Sequence, residues 1–401
     1  MSISPNQQQF PEHRSPVVRP ALALALVVFF NFLARIVFSP LLLEIEHELN
    51  LTHAQTGTFF LLITLGYTSA ILASGFLSAR IEHRGVIILS VTAVGAATAL
   101  IAASQSVIQV RTGLVLLGMS AGLYSPSGIA SLTHAVSRRH WGKAIAIHDL
   151  GPNLAFIAAP ALATLFIGGA GWRTLLLVVS VGCFITAAAF ALFSRQGRFP
   201  GQAPHLGNIR PILAQRTFWV VALFFTIGVT SALGVFAVVP TYLVSERGMD
   251  PRVANTQVSV SCITVLPVLF LAGWLRDRLG EQILIGSVVA ISGTLILGLG
   301  LMPTALLGPV VILQPTVLAA FFPAALAAIS AIGPPETRNV AVSLMIPGCY
   351  VIGGGIFPAV MGILGDHGLF YVGFAAVGAA ALASLAFIRF LTLAPAHEEP
   401  L

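Results

Sequence analysis

The segment GWLRDRLG (residues 273–280) ends a long apolar run, and a related segment, GFLSARIEHRG (residues 75–85), ends another. Their first glycines stand 198 residues apart. Proline landmarks in other apolar runs repeat at almost the same offset: Pro160 with Pro358 at 198 residues, and Pro126 with Pro323 at 197 residues. One offset shared by separate runs predicts a chain built from two related halves.

The composition is that of a membrane protein. Only 8% of the 401 residues are charged, against about 25% in an ordinary soluble domain, and 57% are hydrophobic. A soluble exterior needs more polar side chains than this chain has. The three cysteines, Cys183, Cys262 and Cys349, lie far apart in apolar runs and predict neither a disulfide framework nor a metal site. Soluble enzymes, nucleic-acid-binding domains and disulfide-rich secreted modules are therefore excluded.

The apolar runs have the length of membrane spans. A bilayer core about 30 Å thick is crossed by about 20 apolar residues in a helix. Twelve runs of this kind predict an all-α polytopic membrane protein: 21–43, 54–77, 86–104, 108–132, 143–168, 172–193, 218–243, 254–275, 282–302, 307–332, 340–364 and 369–390. We expect two six-helix halves, 1–193 and 218–401, joined by a polar linker over 194–217, with the substrate site between them.

The basic residues predict the orientation, because cytoplasmic loops are rich in Lys and Arg. Fifteen of the twenty lie on the side of the linker and both tails, four lie on the other side, and Arg35 lies within a span. The linker and both termini are therefore predicted to be cytoplasmic, in a cell (inner) membrane.

The repeated segments resemble the loop signature of the major facilitator superfamily, Gly-x-Leu-x-Asp-Arg-x-Gly. The second copy matches at Gly273, Leu275, Asp277, Arg278 and Gly280. The first copy keeps Gly75, Leu77 and Arg80 but has Ala79 and Glu82 where the signature has Asp and Gly. The resemblance implies a transporter fold of two six-helix bundles and alternating access to a central site. It also gives Gly273, Asp277, Arg278 and Gly280 a role in gating.

The Asp277 carboxylate is predicted to latch the cytoplasmic side. It is expected near the start of the fifth span, where helix amides and Arg138, Arg139 or Lys143 would bind it. Such a latch would stabilise the outward-open state. Ala79 cannot make the equivalent contact.

The first span resembles the organic anion:cation symporter branch of the superfamily, whose pattern is Asn-Tyr-x-Asp-Arg. Here the segment is Asn31, Phe32, Leu33, Ala34 and Arg35. The resemblance implies that Arg35 binds an anionic substrate, whereas the Asp that commonly takes part in proton coupling is replaced by Ala34.

Arg35 also stands out on physical grounds. It lies well inside the first span, where an ionised Arg is costly unless it faces a polar cavity or a partner. Its planar fork suits a carboxylate or phosphate. The alternative is an Arg that reaches out to the lipid headgroups.

His148 and Asp149 are the candidate proton carriers. Asp149 is the one acid well inside a span, and its neighbour is a histidine, the residue type that most readily exchanges a proton near neutral pH. Burial would favour the protonated carboxyl group; alternatively, both residues line a hydrated vestibule.

Four further polar residues are candidates for substrate contact: Asn31, Tyr124, Asn153 and Tyr350. Each has the alternative role of a hydrogen bond between helices. No cofactor or metal site is expected.

The leading hypothesis is a monomeric secondary active transporter of a small organic anion that uses protons as co-substrate. The protein is predicted not to be an enzyme. The alternatives are an efflux antiporter, which Gly151 and Pro152 favour, and an anion exchanger without proton coupling. The sequence has no His-Glu-x-x-His motif and no phosphate-binding glycine loop, so a membrane-embedded enzyme is not supported.

Overall fold

The structure is a computed structural model that describes residues 17–201, 213–330 and 344–391. Within these ranges the regular structure is entirely helical. The two tails, the middle of the linker and the segment 331–343, where the eleventh span was predicted to begin, lie outside the described residues. The fold is that of an all-α polytopic membrane protein, as the composition predicts.

The N-terminal half contains α1 to α6. The first, α1, spans Val18–Leu49. The second and third helices follow each other without a gap over His53–Ala102. The backbone leaves helical geometry at Ile81 and Glu82, which divides this stretch into α2 (53–80) and α3 (83–102). The others are α4 (Val107–Ala135), α5 (Arg138–Phe166) and α6 (Gly171–Phe193).

The C-terminal half contains α7 to α12. Their bounds are α7 Arg216–Ser245, α8 Pro251–Leu279, α9 Glu281–Leu301, α10 Thr304–Ile329, α11 Leu344–Gly365 and α12 Phe370–Phe390. Most helices extend the predicted spans by a turn at one or both ends, because polar caps continue the helices beyond the apolar runs.

Three helix starts lie on the side of the molecule opposite the linker, and each is capped by a side chain. Thr52 and Gln55 form a reciprocal capping box at the start of α2. Ser106 caps α4, and Asp250 caps α8. Each cap satisfies backbone amides that have no partner within the helix.

Prolines interrupt several helices, because a proline cannot donate to the carbonyl four residues earlier. The helical pattern of α1 breaks at Val37, just before Pro40, and that of α4 breaks at Leu123, just before Pro126. These breaks leave carbonyl groups free for contacts with other helices.

The repeated loop has the same backbone conformation in both halves. Gly280 has φ 75° and ψ 160°, and Glu82, its counterpart, has φ 60° and ψ 162°. A glycine adopts this conformation without strain, whereas a residue with a Cβ atom is strained there. The first half therefore keeps the turn of the signature after losing its glycine.

Replacing Glu82 with Gly is expected to stabilise the protein by about 1–2 kcal/mol, because the strain of the positive φ disappears. Thermal unfolding of purified protein measures the effect as a higher midpoint. Gly280→Glu is the matched change and should lower the midpoint by a similar amount. Equal unfolding midpoints for Glu82→Gly and the parent protein would show that the backbone is not strained at Glu82.

The two halves meet on the side opposite the linker. The Ser39 hydroxyl in α1 donates to the Phe236 carbonyl at 2.7 Å, and Ser259 in α8 donates to the Ile157 carbonyl at 2.9 Å. Pro240 cannot bond to Phe236, so that carbonyl is free to accept from the other half. These contacts close the opposite side.

The buried apolar residues show the same asymmetry. One cluster joins the N-terminal half to the opposite-side ends of the C-terminal helices, including Val235, Ala254 and Phe370. A second cluster lies in the linker-side ends of the C-terminal half, including Phe218 and Ile329. The halves thus share a core on the opposite side and have separate cores near the linker.

Candidate substrate site

Arg35 lies near the middle of α1, one turn before Pro40. Its Nε donates to the Asn31 carbonyl at 3.4 Å. Its Cζ atom lies 4.7 Å from the Phe32 ring centroid and 4.4 Å from the Tyr67 centroid. No carboxylate forms an ion pair with it in the described part of the chain. The guanidinium is thus held by aromatic faces and keeps donors for an anion.

Tyr67 and Tyr350 face each other across the two halves. Their ring centroids are 6.4 Å apart and the rings are nearly parallel, at 22°. The Tyr67 hydroxyl is fixed by Ser125 Oγ at 2.6 Å. Tyr350 lies in α11 of the C-terminal half, so its ring and that of Tyr67 come from opposite sides of the cleft in which Arg35 lies. The two halves therefore bring a cation and two phenols to one cleft.

Asp149, in α5, is paired with a buried histidine. Its side chain is 57% exposed, whereas that of its neighbour His148 is 6% exposed. His148 Nδ1 lies 3.0 Å from Asp149 Oδ1, and its Nε2 lies 2.9 Å from the Tyr124 hydroxyl. The sequence left two alternatives for this pair, a buried position and a hydrated vestibule. In this conformation the Asp149 side chain is exposed and the His148 side chain is buried.

Tyr124 connects this pair to α1. Its hydroxyl lies 3.1 Å from the Leu24 carbonyl, to which it can donate, and 2.9 Å from His148 Nε2. Through His148 Nδ1 the same chain of contacts reaches the Asp149 carboxyl group.

Three other predicted ligands are occupied by contacts within the N-terminal half. Asn31 is 1% exposed, and its Nδ2 donates to Ser90 Oγ and the Ala121 carbonyl, both at 3.3 Å. Tyr124 is also 1% exposed. Asn153 donates to the Asp149 carbonyl at 2.7 Å. Their amide and hydroxyl groups connect helices or a helical turn, which gives them a positioning role in this conformation.

The signature residues lie apart from the other half. Asp277 pairs with its neighbour Arg276 at 2.7 Å, and Arg278 lies 5.0 Å from the Trp274 centroid. A Cβ atom at Gly273 or Gly280 would meet no atom within 4 Å. The predicted contact from Asp277 to Arg138, Arg139 or Lys143 is not formed in this conformation, since the halves are separated near the linker.

Three aromatic residues near the cleft were not among the candidates predicted from sequence: Tyr67, Phe156 and Phe236. The Phe156 and Phe236 rings meet between the halves at 4.7 Å. Phenylalanine is abundant in this chain, with 26 residues, so position alone does not distinguish a cleft residue. Tyrosine is rarer, with five residues, and Tyr67 in the middle of a span was a usable signal.

Two six-helix halves that meet on one side only, around an arginine, define a multi-pass membrane transporter. The chain belongs to the Major Facilitator Superfamily, whose family model matches residues 24–318. The members of this family are transporters rather than enzymes. A search of curated protein sequences gives no significant match.

Solved structures share the fold. A bacterial homologue of the human lysosomal transporter Spinster, in an inward-facing and occupied conformation, has a TM-score of 0.71 at 17% identity, covering 92% of this chain and 94% of that chain. A variant of the nucleoside transporter NupG has a TM-score of 0.77 at 12% identity, covering 93% and 99%. A D-xylose-proton symporter has a TM-score of 0.71 at 14% identity, covering 92% and 96%.

Proposed function

We propose that the protein is a secondary active transporter that carries a small organic anion by alternating access. The observation that carries the proposal is Arg35, a cation in the middle of α1 with no carboxylate partner among the described residues. An unpaired charge at such depth is costly, and an anionic substrate would compensate it.

The surroundings of Arg35 favour a carboxylate attached to an apolar body. The guanidinium fork matches a carboxylate with two parallel hydrogen bonds. Phe32, Tyr67 and Tyr350 supply ring faces around it. Such faces contact apolar groups, while the Tyr350 hydroxyl can bond to a polar substituent.

The excess of basic residues on the linker side supports a cytoplasmic linker, with both described chain ends on the same side. In this orientation the two halves are in contact on the outer side of the membrane and lie apart on the cytoplasmic side. The substrate would enter or leave through the cytoplasmic side in this state.

His148 and Asp149 are the proposed proton carriers. The Asp149 side chain is exposed, and it lies 3.0 Å from the buried imidazole of His148, so a proton could pass between the two groups. Tyr124 ties this pair to α1, which also carries Arg35. A proton on the pair and an anion on Arg35 can therefore influence the same helix. Proton symport occurs in this fold, as in the D-xylose-proton symporter.

Asp149→Asn is expected to abolish proton-driven accumulation and leave counterflow intact. Asparagine can still bond to His148 but cannot exchange a proton. The measurement is net uptake into vesicles without internal substrate under an inward proton gradient. Glu281→Gln, another acid-to-amide change near the linker, should retain accumulation. Uptake that is independent of the pH gradient and requires an anion inside the vesicles would instead support an electroneutral exchanger. The unpaired Arg35 is also compatible with such an exchanger.

Asp277→Asn is expected to increase access from the cytoplasmic side. We propose that Asp277 binds α5 when that side closes, so the amide would weaken the closed form. A cysteine at Gly348, an exposed position, reports access through its labelling rate. Roughly a threefold to tenfold faster rate corresponds to the loss of one charge-assisted contact of about 1 kcal/mol. An unchanged rate would contradict the latch.

Counterflow in proteoliposomes tests the proposed function. The panel contains carboxylates, organic phosphates and amphipathic cations, each loaded inside and traced from outside. We expect exchange of one or more carboxylates and none of the cations. Exchange of the cations alone would support the efflux antiporter, which Gly151 favours only weakly, because its Cβ position lies 2.5 Å from the Ala25 carbonyl and indicates a packing role.

A further inference from the structure

A second cavity lies at the linker-side end of the N-terminal half, away from the cleft. Its volume is about 760 Å³, and it is bounded by the ends of α1, α4 and α6 and by the first linker residues. Three arginines line it, Arg19, Arg195 and Arg198, together with His134. No carboxylate lines the cavity, and none forms an ion pair with these arginines among the described residues.

The linker wall of this cavity is fixed in place. The Arg84 amide donates to the Gly197 carbonyl at 2.8 Å, and the His83 amide donates to the Phe199 carbonyl at 3.2 Å. The Phe199 ring packs between His83, at 4.7 Å, and His134, at 4.3 Å. The wall is therefore held by backbone bonds and ring contacts.

Two buried polar atoms in the wall have no hydrogen-bond partner among the residues that the structure describes. They are Ser131 Oγ and Gln196 Oε1, and both residues line the cavity. Buried polar atoms are normally hydrogen-bonded, so each calls for a partner from outside the described chain. Phosphate and hydroxyl groups of a ligand would supply the acceptors and donors that these atoms lack.

The cavity also has an apolar rim. Leu26 in α1 is 47% exposed and Phe193 at the end of α6 is 85% exposed, and both line it. In a membrane protein, such exposed side chains at a helix end face acyl chains. Positive charge and apolar surface thus adjoin in one cavity, which is the pattern of a phospholipid rather than of a free anion.

We propose that this cavity binds the headgroup of an anionic phospholipid from the linker-side leaflet. The arginines would hold the phosphate, the buried polar atoms would bond to a headgroup hydroxyl, and the apolar rim would contact the first methylenes of an acyl chain. Phosphatidylglycerol has this chemistry, and phosphatidylcholine lacks both the net charge and the hydroxyl. This site is independent of the substrate proposed for the cleft.

Native mass spectrometry of the purified full-length protein tests the proposal with phosphatidylglycerol and phosphatidylcholine of equal chain length. We expect selective retention of phosphatidylglycerol. Since each arginine near an anionic lipid contributes about fivefold in affinity, R195Q/R198Q should bind it roughly 25-fold more weakly. R138Q/R139Q removes the same charge from exposed positions outside the cavity and should change binding less than about threefold.

R195K/R198K keeps the charge and should retain most of the affinity for phosphatidylglycerol. This variant therefore distinguishes a loss of charge in the cavity from a loss of the fold. Retention of both lipids alike, or equal weakening in both glutamine pairs, would overturn the proposal. A thermal stabilisation by glycerol phosphate as large as that by phosphatidylglycerol would show a soluble phosphate site instead, and would also overturn it.

Discussion

Arg35→Ala is expected to lower the affinity for a transported carboxylate by about 100-fold or more. The change removes two charge-assisted hydrogen bonds, each of about 1.5–3 kcal/mol, from a site that is shielded by aromatic rings. Arg35→Lys should also fail, because an ammonium group cannot reproduce the planar fork that lies over Phe32 and Tyr67. Counterflow at a series of substrate concentrations gives both affinities.

The matched control for this prediction is Arg216→Ala, which removes an exposed arginine next to the linker. It should leave affinity unchanged while lowering the net charge equally. Binding is compared only among variants that elute as folded protein. A folded Arg35→Ala variant with unchanged substrate affinity would contradict the role of Arg35 as the anion anchor.

Gly362→Ala is expected to open the side opposite the linker. Gly362 in α11 meets α2 there, and a Cβ atom at this position would overlap the His53 carbonyl oxygen. Backbone cannot move aside cheaply, and overpacking of this kind costs about 1–3 kcal/mol. Since the clash exists only while the halves meet, the cost shifts the population towards the state that is open on the opposite side.

A cysteine at Thr64 reports this shift. Thr64 is 9% exposed, and its hydroxyl lies 3.5 Å from the Gly354 carbonyl of the other half. In a background without native cysteines, labelling by an impermeant maleimide from the opposite side should be about 10-fold faster in Gly362→Ala. Gly348→Ala, in the same helix with nothing near its Cβ position, should leave the rate unchanged. Equal labelling rates in Gly362→Ala and Gly348→Ala would show that the contact between α11 and α2 does not hold the halves together.

The repeat and the apolar runs were sufficient to predict the helical architecture. Membrane spans require about 20 apolar residues, and this requirement is visible in any single sequence. The equal conformations at Glu82 and Gly280 show that the repeat is preserved in the backbone even where the residue type differs. The precise helix ends were less predictable, since caps such as Thr52 and Asp250 extend helices beyond the apolar runs.

The substrate site was less predictable, because a polar residue in a span can contact either a ligand or a neighbouring helix. Arg35 stands out as a candidate in the sequence because an ionised side chain inside a span needs a compensating partner. Asn31 and Tyr124 have the same polar groups that a ligand site would use, but helix neighbours occupy them in the structure. Tyr67 is one of few tyrosines and lies inside a span, but its position over Arg35 and opposite Tyr350 is visible only in the three-dimensional fold.

The most direct test of the account compares counterflow of a carboxylate substrate with that of its neutral primary amide, in the parent protein and in Arg35→Gln. The two compounds have nearly equal size and differ in the charge that Arg35 is proposed to bind. The account predicts exchange of the carboxylate by the parent, at least 100-fold weaker affinity for the amide, and a far smaller preference in Arg35→Gln. Equal exchange of acid and amide by the parent, or an unchanged preference in Arg35→Gln, would contradict it.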